Sequence, residues 1–247
     1  MSDLLNKWID EAKNIIIFTG AGISTESGIP DFRSPSGLWS RMKPIMFQDF
    51  ISSEKSRVES WSRKFDSEND ISFAKPNEGH MAIAKLINFG NASYVITQNI
   101  DNLHQDSGIS EDKIIELHGN SSYASCLDCK FRYELDEIKS EFISQPVGSK
   151  KSPICKECGG IIKSATISFG QPMPEKEMKR AESATLDCDL FLAIGSSLQV
   201  YPAASFPIIA RKNGAKLVII NREPTELDKI ANMVINKEIG STLKALV

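Results

Sequence analysis

Four of the five cysteines in the chain form two CxxC pairs. Cys126 and Cys129 make the first pair, and Cys155 and Cys158, followed by two glycines, make the second. Each pair can bind one edge of a tetrahedral Zn²⁺, and four thiolates leave no position for a catalytic water. The spacing predicts a structural zinc site that holds a small module together, and two pairs argue against the alternative, a redox CxxC. Cys188, the fifth cysteine, starts an apolar run, and we expect it to be buried.

A glycine-rich turn with the sequence GAGISTESG occupies residues 20–28. Glycine lets the backbone approach a phosphate closely, and a helix start supplies oriented N–H donors. The turn is therefore a candidate phosphate-binding site, with an ordinary strand-to-helix turn as the alternative. The usual dinucleotide fingerprint needs a third glycine where this chain has Thr25, and a polar loop follows at residues 29–34. Both departures argue against a hydride-transferring dehydrogenase.

The three histidines have different sequence contexts. His118 follows a short apolar run at residues 114–117 and precedes Gly119, where the chain leaves for the cysteine-containing region. Histidine titrates near neutral pH, and at a junction of two structural units it is well placed to act as a general base. His80 and His104 fall in predicted helices, where we expect them to cap or to pack.

Four apolar runs rich in β-branched residues predict buried parallel strands. They lie at residues 15–18, 94–97, 190–194 and 217–220, and polar or glycine-rich segments follow them at residues 20–22, 98–101, 195–197 and 221–223. Ligands of open α/β sheets bind beyond the carboxyl ends of the strands, so we expect the four segments to converge on one site. With helical stretches such as residues 77–86 between the runs, the pattern predicts an α/β fold with a doubly wound parallel sheet.

The composition excludes several classes of protein. The 247 residues are 41% hydrophobic and carry a formal net charge of −3, which gives no overall attraction for nucleic acid or an anionic membrane. There is no apolar run of about 18 residues and no apolar secretory stretch at the N-terminus. We therefore expect a cytoplasmic protein that binds neither membrane nor nucleic acid directly and acts on small-molecule or peptide substrates.

Several motifs occur in one order along nearly the whole chain. They are residues 20–34 (GAGISTESGIPDFRS), residues 98–101 (QNID) followed by Asn102-Leu103-His104, His118-Gly119, the four paired cysteines, and residues 195–198 (GSSL) followed by Val200 and Pro202. Together they resemble the sirtuin family of NAD-dependent protein deacylases. The resemblance implies a Rossmann-like domain, a small zinc-bearing domain, and a cleft between them where NAD and an acyl-lysine peptide meet.

The resemblance also implies domain boundaries and individual roles. Residues 1–29, 76–119 and 165–247 would form the NAD-binding domain, residues 30–75 a cofactor loop and the helical part of the small domain, and residues 120–164 the zinc-binding module. The residues implied to bind NAD are Gly20, Ala21, Gly22, Thr25, Asp31, Phe32, Arg33, Gln98, Asn99, Ile100, Asp101, Gly195, Ser196, Ser197, Asn221, Arg222, Glu238 and Ile239. Ile167, Phe169 and Gly170 would bind the substrate peptide, Phe32 would shield the reacting carbon, and His118 would be the catalytic base.

In the mechanism implied by this family, NAD is a co-substrate. The acyl-amide oxygen attacks C1′ of the nicotinamide ribose, which expels nicotinamide and forms an alkylimidate. His118 activates a ribose hydroxyl to attack that imidate, and water then releases lysine and O-acyl-ADP-ribose. Splitting one hard step into easier steps is the logic of covalent catalysis, here with a nucleophile that belongs to the substrate.

The chain departs from the family pattern at three places. The peptide-binding strand of relatives reads V-x-F-G-E, whereas residues 167–171 read ISFGQ, and Lys163 stands where many relatives have arginine. Main-chain pairing with an extended peptide would survive these changes, while side-chain preference would shift. Relatives that prefer acidic acyl chains carry Tyr-x-x-Arg, whereas this chain has Ser60 and Arg63, so we expect a preference for uncharged acyl groups.

Two other functions stay open at the level of sequence. Mono-ADP-ribosyl transfer to protein would use the same electrophilic C1′ with a different acceptor. A non-enzymatic zinc-ribbon protein would need only the cysteines, although the glycine turn and the acidic balance argue against it. The sequence does not specify an oligomeric state.

Overall fold

The computed structural model describes residues 2–31, 37, 42–66 and 73–246. Its strands are β1 (Ile15–Thr19), β2 (Ala92–Thr97), β3 (Ile114–Glu116), β4 (Gly119–Cys126), β5 (Arg132–Glu134), β6 (Ile162–Thr166), β7 (Leu190–Ile194), β8 (Lys216–Ile220) and β9 (Met233–Ile235). Six of them form a parallel sheet in the order β3-β2-β1-β7-β8-β9. The strand order reverses at β1, which defines a doubly wound sheet and confirms the predicted fold class.

Helices connect the strands of this sheet and of a smaller antiparallel sheet. They are α1 (Ser2–Glu11), α2 (Phe47–Ser52), α3 (Glu54–Asp66), α4 (Glu78–Asn88), α5 (Leu103–Asp106), α6 (Leu135–Ile143), α7 (Glu175–Asp187), α8 (Ser205–Lys212) and α9 (Ile239–Lys244), with short 3-10 helices at Ala21–Ser27, Glu111–Lys113 and Asp228–Ile230. The first turn of α4 is closed by a capping box in which the Asn77 side chain accepts from the His80 N–H and His80 Nδ1 accepts from the Asn77 N–H. The expected capping role of His80 is confirmed.

Two hydrophobic cores lie on opposite faces of the sheet. Ile15 and Ile17 of β1 belong to one core, and Ile16 and Phe18 belong to the other. Successive side chains of a strand point to opposite faces, so a strand between two helical layers is apolar at every position. This explains why β1 is buried throughout and was visible in the sequence as a continuous apolar run. Cys188 is buried in the second core, as expected.

A third core stabilises the cysteine-containing region. β5, β4 and β6 form an antiparallel sheet in that order, covered by α6 and α3. The Trp61 and Phe65 rings stack with centroids 5.5 Å apart, and the Phe65 and Phe142 centroids are 5.7 Å apart. Two helices distant in sequence therefore share one hydrophobic core.

Among the described residues, no helix is both long and apolar enough to cross a membrane.

The structure differs from the sequence prediction in three elements. Residues Ala21–Ser27, within the glycine-rich turn, form a 3-10 helix where an α-helix start was expected. The three-residue edge strand β9 was not predicted, because so short a run carries no detectable periodicity. β2 also begins at Ala92, two residues before the predicted run at 94–97.

Candidate active site

The turns after β1 and β7 contact each other through glycines. The Gly22 N–H donates to the Gly195 carbonyl at 2.7 Å. A Cβ atom would lie 2.8 Å from that oxygen if placed on Gly20, and 2.7 Å from it if placed on Gly22. Gly195 has a φ of +63°, and a Cβ there would lie 2.4 Å from the Ile23 nitrogen. Close contact between the two turns therefore requires these glycines. This packing is a second reason for glycine at these positions, beside the close approach of a phosphate expected from the sequence.

The 3-10 helix that begins at Ala21 is short for a local reason. It ends at Gly28, which has a left-handed φ of +88° and an N–H that donates to the Thr25 carbonyl at 3.1 Å. Pro30 follows two residues later and cannot continue a helix. The Thr25 hydroxyl donates to the Gly22 carbonyl at 2.9 Å. The turn is thus fixed from within as well as by Gly195.

The segment after β2 is bonded to the glycine turn. The Asn99 side chain is buried, and its Nδ2 donates to the Gly20 carbonyl at 3.1 Å and to Ser24 Oγ at 3.2 Å. Ser24 Oγ in turn donates to Asp101 Oδ2 at 2.7 Å. Burial raises the pKa of the Asp101 carboxyl, although hydrogen bonds from Ser24 and the Leu103 N–H oppose this. Ser24 was not among the predicted site residues, yet it connects Asn99 to Asp101.

Gln98 and Ile100 extend these connections to two further segments. Gln98 Nε2 donates to Ser196 Oγ at 2.9 Å, which joins the end of β2 to the turn after β7. The Ile100 carbonyl accepts from the Ser121 N–H of β4 at 2.8 Å. Ser196 is buried, whereas Ser197 is exposed. Segments that follow three different strands therefore meet at one edge of the sheet.

His118 lies at the junction of β3 and β4 and is partly buried. Its Nδ1 is 2.9 Å from the Gln98 carbonyl oxygen, which can only accept a hydrogen bond. The neutral ring therefore carries its proton on Nδ1 and a free lone pair on Nε2. Burial lowers the pKa of His118, and the bond to Gln98 opposes part of that shift. The result is an imidazole held in one tautomer and in the basic form at neutral pH.

Gly119 makes the turn directly after this histidine. It has a φ of +71°, and a Cβ atom there would lie 2.0 Å from the Ala165 carbonyl oxygen. No other residue fits between β4 and β6 at this point. The Ile167 N–H donates to the His118 carbonyl at 2.8 Å, so the backbone of His118 is also bonded to the segment that follows β6.

A cleft of about 480 Å³ lies between the glycine turn and the segment after β8. Thr25, Gly28, Asp31, Arg222 and Glu223 are among its lining residues. It therefore contains three of the residues implied to bind NAD, namely Thr25, Asp31 and Arg222. Phe32 and Arg33 lie outside the described residues.

The remaining predicted residues near this cleft have defined partners. Asn221 Nδ2 donates to the Glu223 carbonyl at 2.7 Å, and an Arg222 nitrogen is 4.0 Å from a Glu238 carboxylate oxygen. Ile239 is buried, and its N–H donates to Glu26 Oε1 at 3.1 Å. Ile239 thus packs behind the glycine turn.

The predicted peptide segment directly follows β6. The Phe47 N–H at the start of α2 donates to the Phe169 carbonyl at 2.9 Å. Gly170 has a left-handed φ of +82°, and Phe169 is 40% exposed. Ile167 lies beside His118 through the backbone bond described above. The segment therefore runs from His118 to α2.

Two buried histidines lie beneath the site. The His80 and His104 ring centroids are 5.1 Å apart, and His104 Nε2 is 2.9 Å from Thr19 Oγ1. Thr19 Oγ1 donates to Thr97 Oγ1 at 2.9 Å, which links the ends of β1 and β2. Burial lowers the pKa of His80 to about 4 and that of His104 to about 3. Both rings are neutral structural groups, as expected from the sequence.

The four paired cysteines converge at one end of the small sheet. None of the four forms a disulfide, and their Sγ atoms lie within 4.8 Å of one another. The distance is 3.5 Å between Cys126 and Cys158 and 3.6 Å between Cys129 and Cys155. Tetrahedral Zn²⁺ with bonds of about 2.3 Å requires sulfurs about 3.8 Å apart, so the set fits zinc. The Tyr133 hydroxyl donates to Cys155 Sγ at 3.1 Å, a contact that orients this ligand.

Comparison with known proteins places these features in a family. The sequence model of the Sir2 family matches residues 20–202. An NAD-dependent protein deacetylase 1 of Bradyrhizobium diazoefficiens is 54% identical over 239 residues, covering 97% of this chain and 92% of that protein. An NAD-dependent protein deacetylase of Rhodopseudomonas palustris is 53% identical, covering 97% of this chain and 93% of the relative.

Solved structures are similar over the full length of the chain. A Sir2 complex with a p53 peptide and NAD+ has a TM-score of 0.86 at 33% identity and covers 99% of this chain and 96% of that chain. A Sir2 protein bound to a propionylated peptide has a TM-score of 0.84 at 33% identity, with coverage of 98% and 95%. The family match, the full-length relatives and the common fold show that this chain belongs to the Sir2, or sirtuin, family.

Proposed function

We propose that the chain is an NAD-dependent protein-lysine deacylase that transfers the acyl group of a modified lysine to ADP-ribose and releases nicotinamide. The observation that carries the proposal is the fixed tautomer of His118 where segments from several strands meet. Relatives named NAD-dependent protein deacetylases match nearly the whole chain. NAD supplies an electrophilic ribose carbon when its bond to nicotinamide breaks.

His118 is assigned as the general base. Its Nδ1–H is held by the Gln98 carbonyl, so only Nε2 can accept a proton. Because burial lowers its pKa, the ring is unprotonated at neutral pH and ready to take a proton from a ribose hydroxyl. The same carbonyl stabilises the positive charge of the imidazolium that forms, as a buried acceptor does in other histidine-based sites.

The NAD-binding residues are assigned by segment. Gly20, Ala21, Gly22 and Thr25, with Asp31, Phe32 and Arg33, would bind the pyrophosphate and the nicotinamide ribose, and residues 98–101 would line the nicotinamide pocket. Gly195, Ser196, Ser197, Asn221, Arg222 and Glu238 would bind the adenosine half. The Ser24, Asn99 and Asp101 hydrogen bonds support this assignment, because they fix the pocket before a ligand arrives. Ile239 is buried with its N–H already bonded, so it would act by packing.

Acyl-lysine proteins or peptides are the proposed partners. Ile167, Phe169 and Gly170 would pair with the peptide backbone, since strand addition depends on main-chain groups. The hydrogen bond between Ile167 and the His118 carbonyl supports this, because a peptide on this segment would lie next to the proposed base. One solved relative is bound to a propionylated peptide.

The zinc ion would be structural. Cys126, Cys129, Cys155 and Cys158 provide four sulfur ligands, and this set leaves no position for water. Zinc bound by four thiolates needs reduced cysteines, which supports assignment of the protein to the cytoplasm.

The proposal is tested by nicotinamide release. The protein is incubated with NAD alone, with NAD and an acetyl-lysine peptide, and with NAD and the unmodified peptide. Release should require NAD and the acetylated peptide together, because the amide oxygen is the nucleophile. Equal release of nicotinamide from NAD alone would instead indicate an NAD glycohydrolase. Release with the unmodified peptide, accompanied by a gain of ADP-ribose on that peptide, would indicate ADP-ribosyl transfer.

A further inference from the structure

Lys163 is buried, and no described residue forms an ion pair with it. It is the one lysine among the described residues that is classed as buried, with 4% of its surface exposed. Lysine is almost never fully buried unless it is paired. Its Nζ forms no ion pair with a described carboxylate, and instead donates to the Thr166 carbonyl at 2.5 Å and to the Ser164 carbonyl at 3.4 Å. Burial alone lowers the pKa of this ammonium, to about 8.

The ammonium lies where the ladder between β4 and β6 is irregular. Gly119 pairs with Thr166, and the next pair is Ala124 with Ser164, so β4 advances five residues while β6 advances two. Such an irregularity leaves backbone groups without their regular partners. Lys163 provides donors to two β6 carbonyls at this point. Its ammonium also lies 5.8 Å from the centroid of the Phe50 ring on α2.

The peptide unit between Thr166 and Ile167 is held on both sides. Its carbonyl accepts from Lys163 Nζ at 2.5 Å, and its N–H donates to the His118 carbonyl at 2.8 Å. Further along the same segment, the Phe169 carbonyl is bonded to the Phe47 N–H of α2, the helix that carries Phe50. Lys163 therefore connects β6, α2 and the start of the 167–170 segment.

We propose that Lys163 is a positioning residue for the substrate peptide. Its ammonium fixes the orientation of the Thr166–Ile167 peptide unit and, through it, the backbone of the 167–170 segment relative to His118. The inference rests on the proposed function, because that segment is where an acyl-lysine peptide would pair. The compact ammonium suits this position, since it can direct separate donors to two carbonyls while facing an aromatic ring.

The expected effect is on peptide binding. A loosened 167–170 segment would weaken pairing with the peptide backbone equally in the ground state and in the transition state. Such a loss raises KM and leaves kcat nearly unchanged. Lys163→Met keeps the apolar stem and removes the donors. Loss of one charge-assisted hydrogen bond corresponds to a rise of about tenfold in KM for the peptide. Lys163→Arg restores a permanent charge with several donors and should return KM to within about threefold of the original protein.

A substrate that lacks the peptide residues on either side of the acetyl-lysine distinguishes positioning of the peptide from a general loss of active-site structure. KM and kcat are measured with an acetylated peptide and with an acetyl-lysine derivative blocked at both main-chain ends. Because the derivative has few main-chain groups to pair, Lys163→Met should raise its KM by less than about twofold. Lys150→Met is the matched control, since the Lys150 ammonium also lies over a phenylalanine ring, 4.6 Å from the Phe142 centroid, and should leave both substrates unaffected.

The outcomes are distinct. A similar rise in KM for both substrates, a loss confined to kcat, or a Lys163→Arg variant as impaired as Lys163→Met would overturn the inference. Zinc content and the KM for NAD are measured in parallel, and both should be unchanged. If Lys163→Met does not fold, Lys163→Gln, which loses the charge and keeps one neutral donor, should show a smaller rise in KM that is still confined to the peptide. If the original protein releases no nicotinamide with either substrate, the proposed function itself fails.

Discussion

His118 Nδ1 and the main-chain carbonyl of Gln98, twenty positions earlier, lie 2.9 Å apart. This bond joins the end of β2 to the point where the chain enters the small sheet. It also decides which ring nitrogen is available as a base, because the carbonyl can only accept. In the proposed mechanism, a backbone oxygen of the predicted nicotinamide segment therefore determines that Nε2 is the nitrogen that accepts the proton.

Replacing His118 with asparagine should abolish most of the activity. An asparagine amide can still donate toward the Gln98 carbonyl, but it cannot take up a proton. We expect kcat to fall by about 10²–10⁴-fold, the usual contribution of a general base, while NAD binding and zinc content are retained. Near-normal turnover in His118→Asn would exclude His118 from the mechanism.

The pH dependence of kcat/KM should report the lowered pKa of His118. Activity requires the unprotonated ring, so it should be lost as the pH falls through that pKa. Because burial places the pKa below the ordinary value of about 6.5, the acid limb should have its midpoint below that pH. An acid-limb midpoint of kcat/KM above pH 6.5 would contradict the lowering of the His118 pKa by burial.

Removal of a single zinc ligand should unfold the small module. Cys126→Ala is expected to lose the metal and activity together, because the module depends on the ion for much of its stability. Cys188→Ala is the matched control, since Cys188 is buried in a different core and its thiol donates only to the Thr185 carbonyl among the described contacts. Metal content by mass spectrometry and the thermal transition are measured for both. Full activity in a zinc-free Cys126→Ala protein would refute a structural role for the metal.

The buried pair of His80 and His104 should make the fold sensitive to acid. In the unfolded chain both rings titrate near pH 6.5, whereas burial lowers their folded pKa values to about 4 and about 3. As the pH falls below about 6.5, the unfolded state binds protons that the folded state does not. The free energy of unfolding should therefore decrease by up to about 1.4 kcal/mol per pH unit for each ring until the pH approaches 4.

Denaturant titrations at several pH values measure this slope. His80→Gln keeps a side-chain acceptor near the Asn77 N–H and removes one titrating group. Between pH 6 and pH 5, its unfolding free energy should fall less steeply with pH, by about 1.4 kcal/mol per pH unit, which corresponds to one proton. An unchanged slope would mean that His80 is not the source of the acid sensitivity.

The acyl group removed should be uncharged. Arg63 donates to the Lys43 carbonyl at 2.7 Å and pairs with the Glu59 carboxylate, so its guanidinium is already engaged. Ser60 is too short to replace a tyrosine hydroxyl. We expect kcat/KM for an acetyl or butyryl peptide to exceed that for a succinyl peptide by about ten- to a hundredfold. A succinyl preference that disappears in Arg63→Met would reverse this assignment.

Much of the fold was predictable because the central strands carry a strong local signal. β1, β7 and β8 are buried on both faces, and their continuous β-branched runs require that environment. That the four paired cysteines lie together was predictable from their spacing alone. β9 was missed because three residues at a sheet edge show no pattern, and the 3-10 helix was missed because its end depends on Gly28 and on contact with Gly195.

The hydrogen bonds of the site could not be predicted from the sequence. Ser24 and Asn99 are 75 positions apart, and only the packing of two turns brings them together. The burial of Lys163 depends in the same way on an irregular pairing of β4 with β6. Motifs therefore identified the participating segments, while tertiary structure determined which side chains bond to each other. The domain boundaries, the NAD and peptide contacts of all the predicted residues and the catalytic role of His118 stay predictions.

Mass spectrometry of the products tests the central claim most directly. The protein is incubated with NAD and an acetyl-lysine peptide, and the small molecules and the peptide are analysed from the same reaction. The account predicts one O-acetyl-ADP-ribose and one nicotinamide for each peptide deacetylated, and O-acetyl-ADP-ribose from His118→Asn at no more than about one hundredth of that rate. Free acetate with ADP-ribose as the first products, or ADP-ribose attached to the peptide, would contradict it.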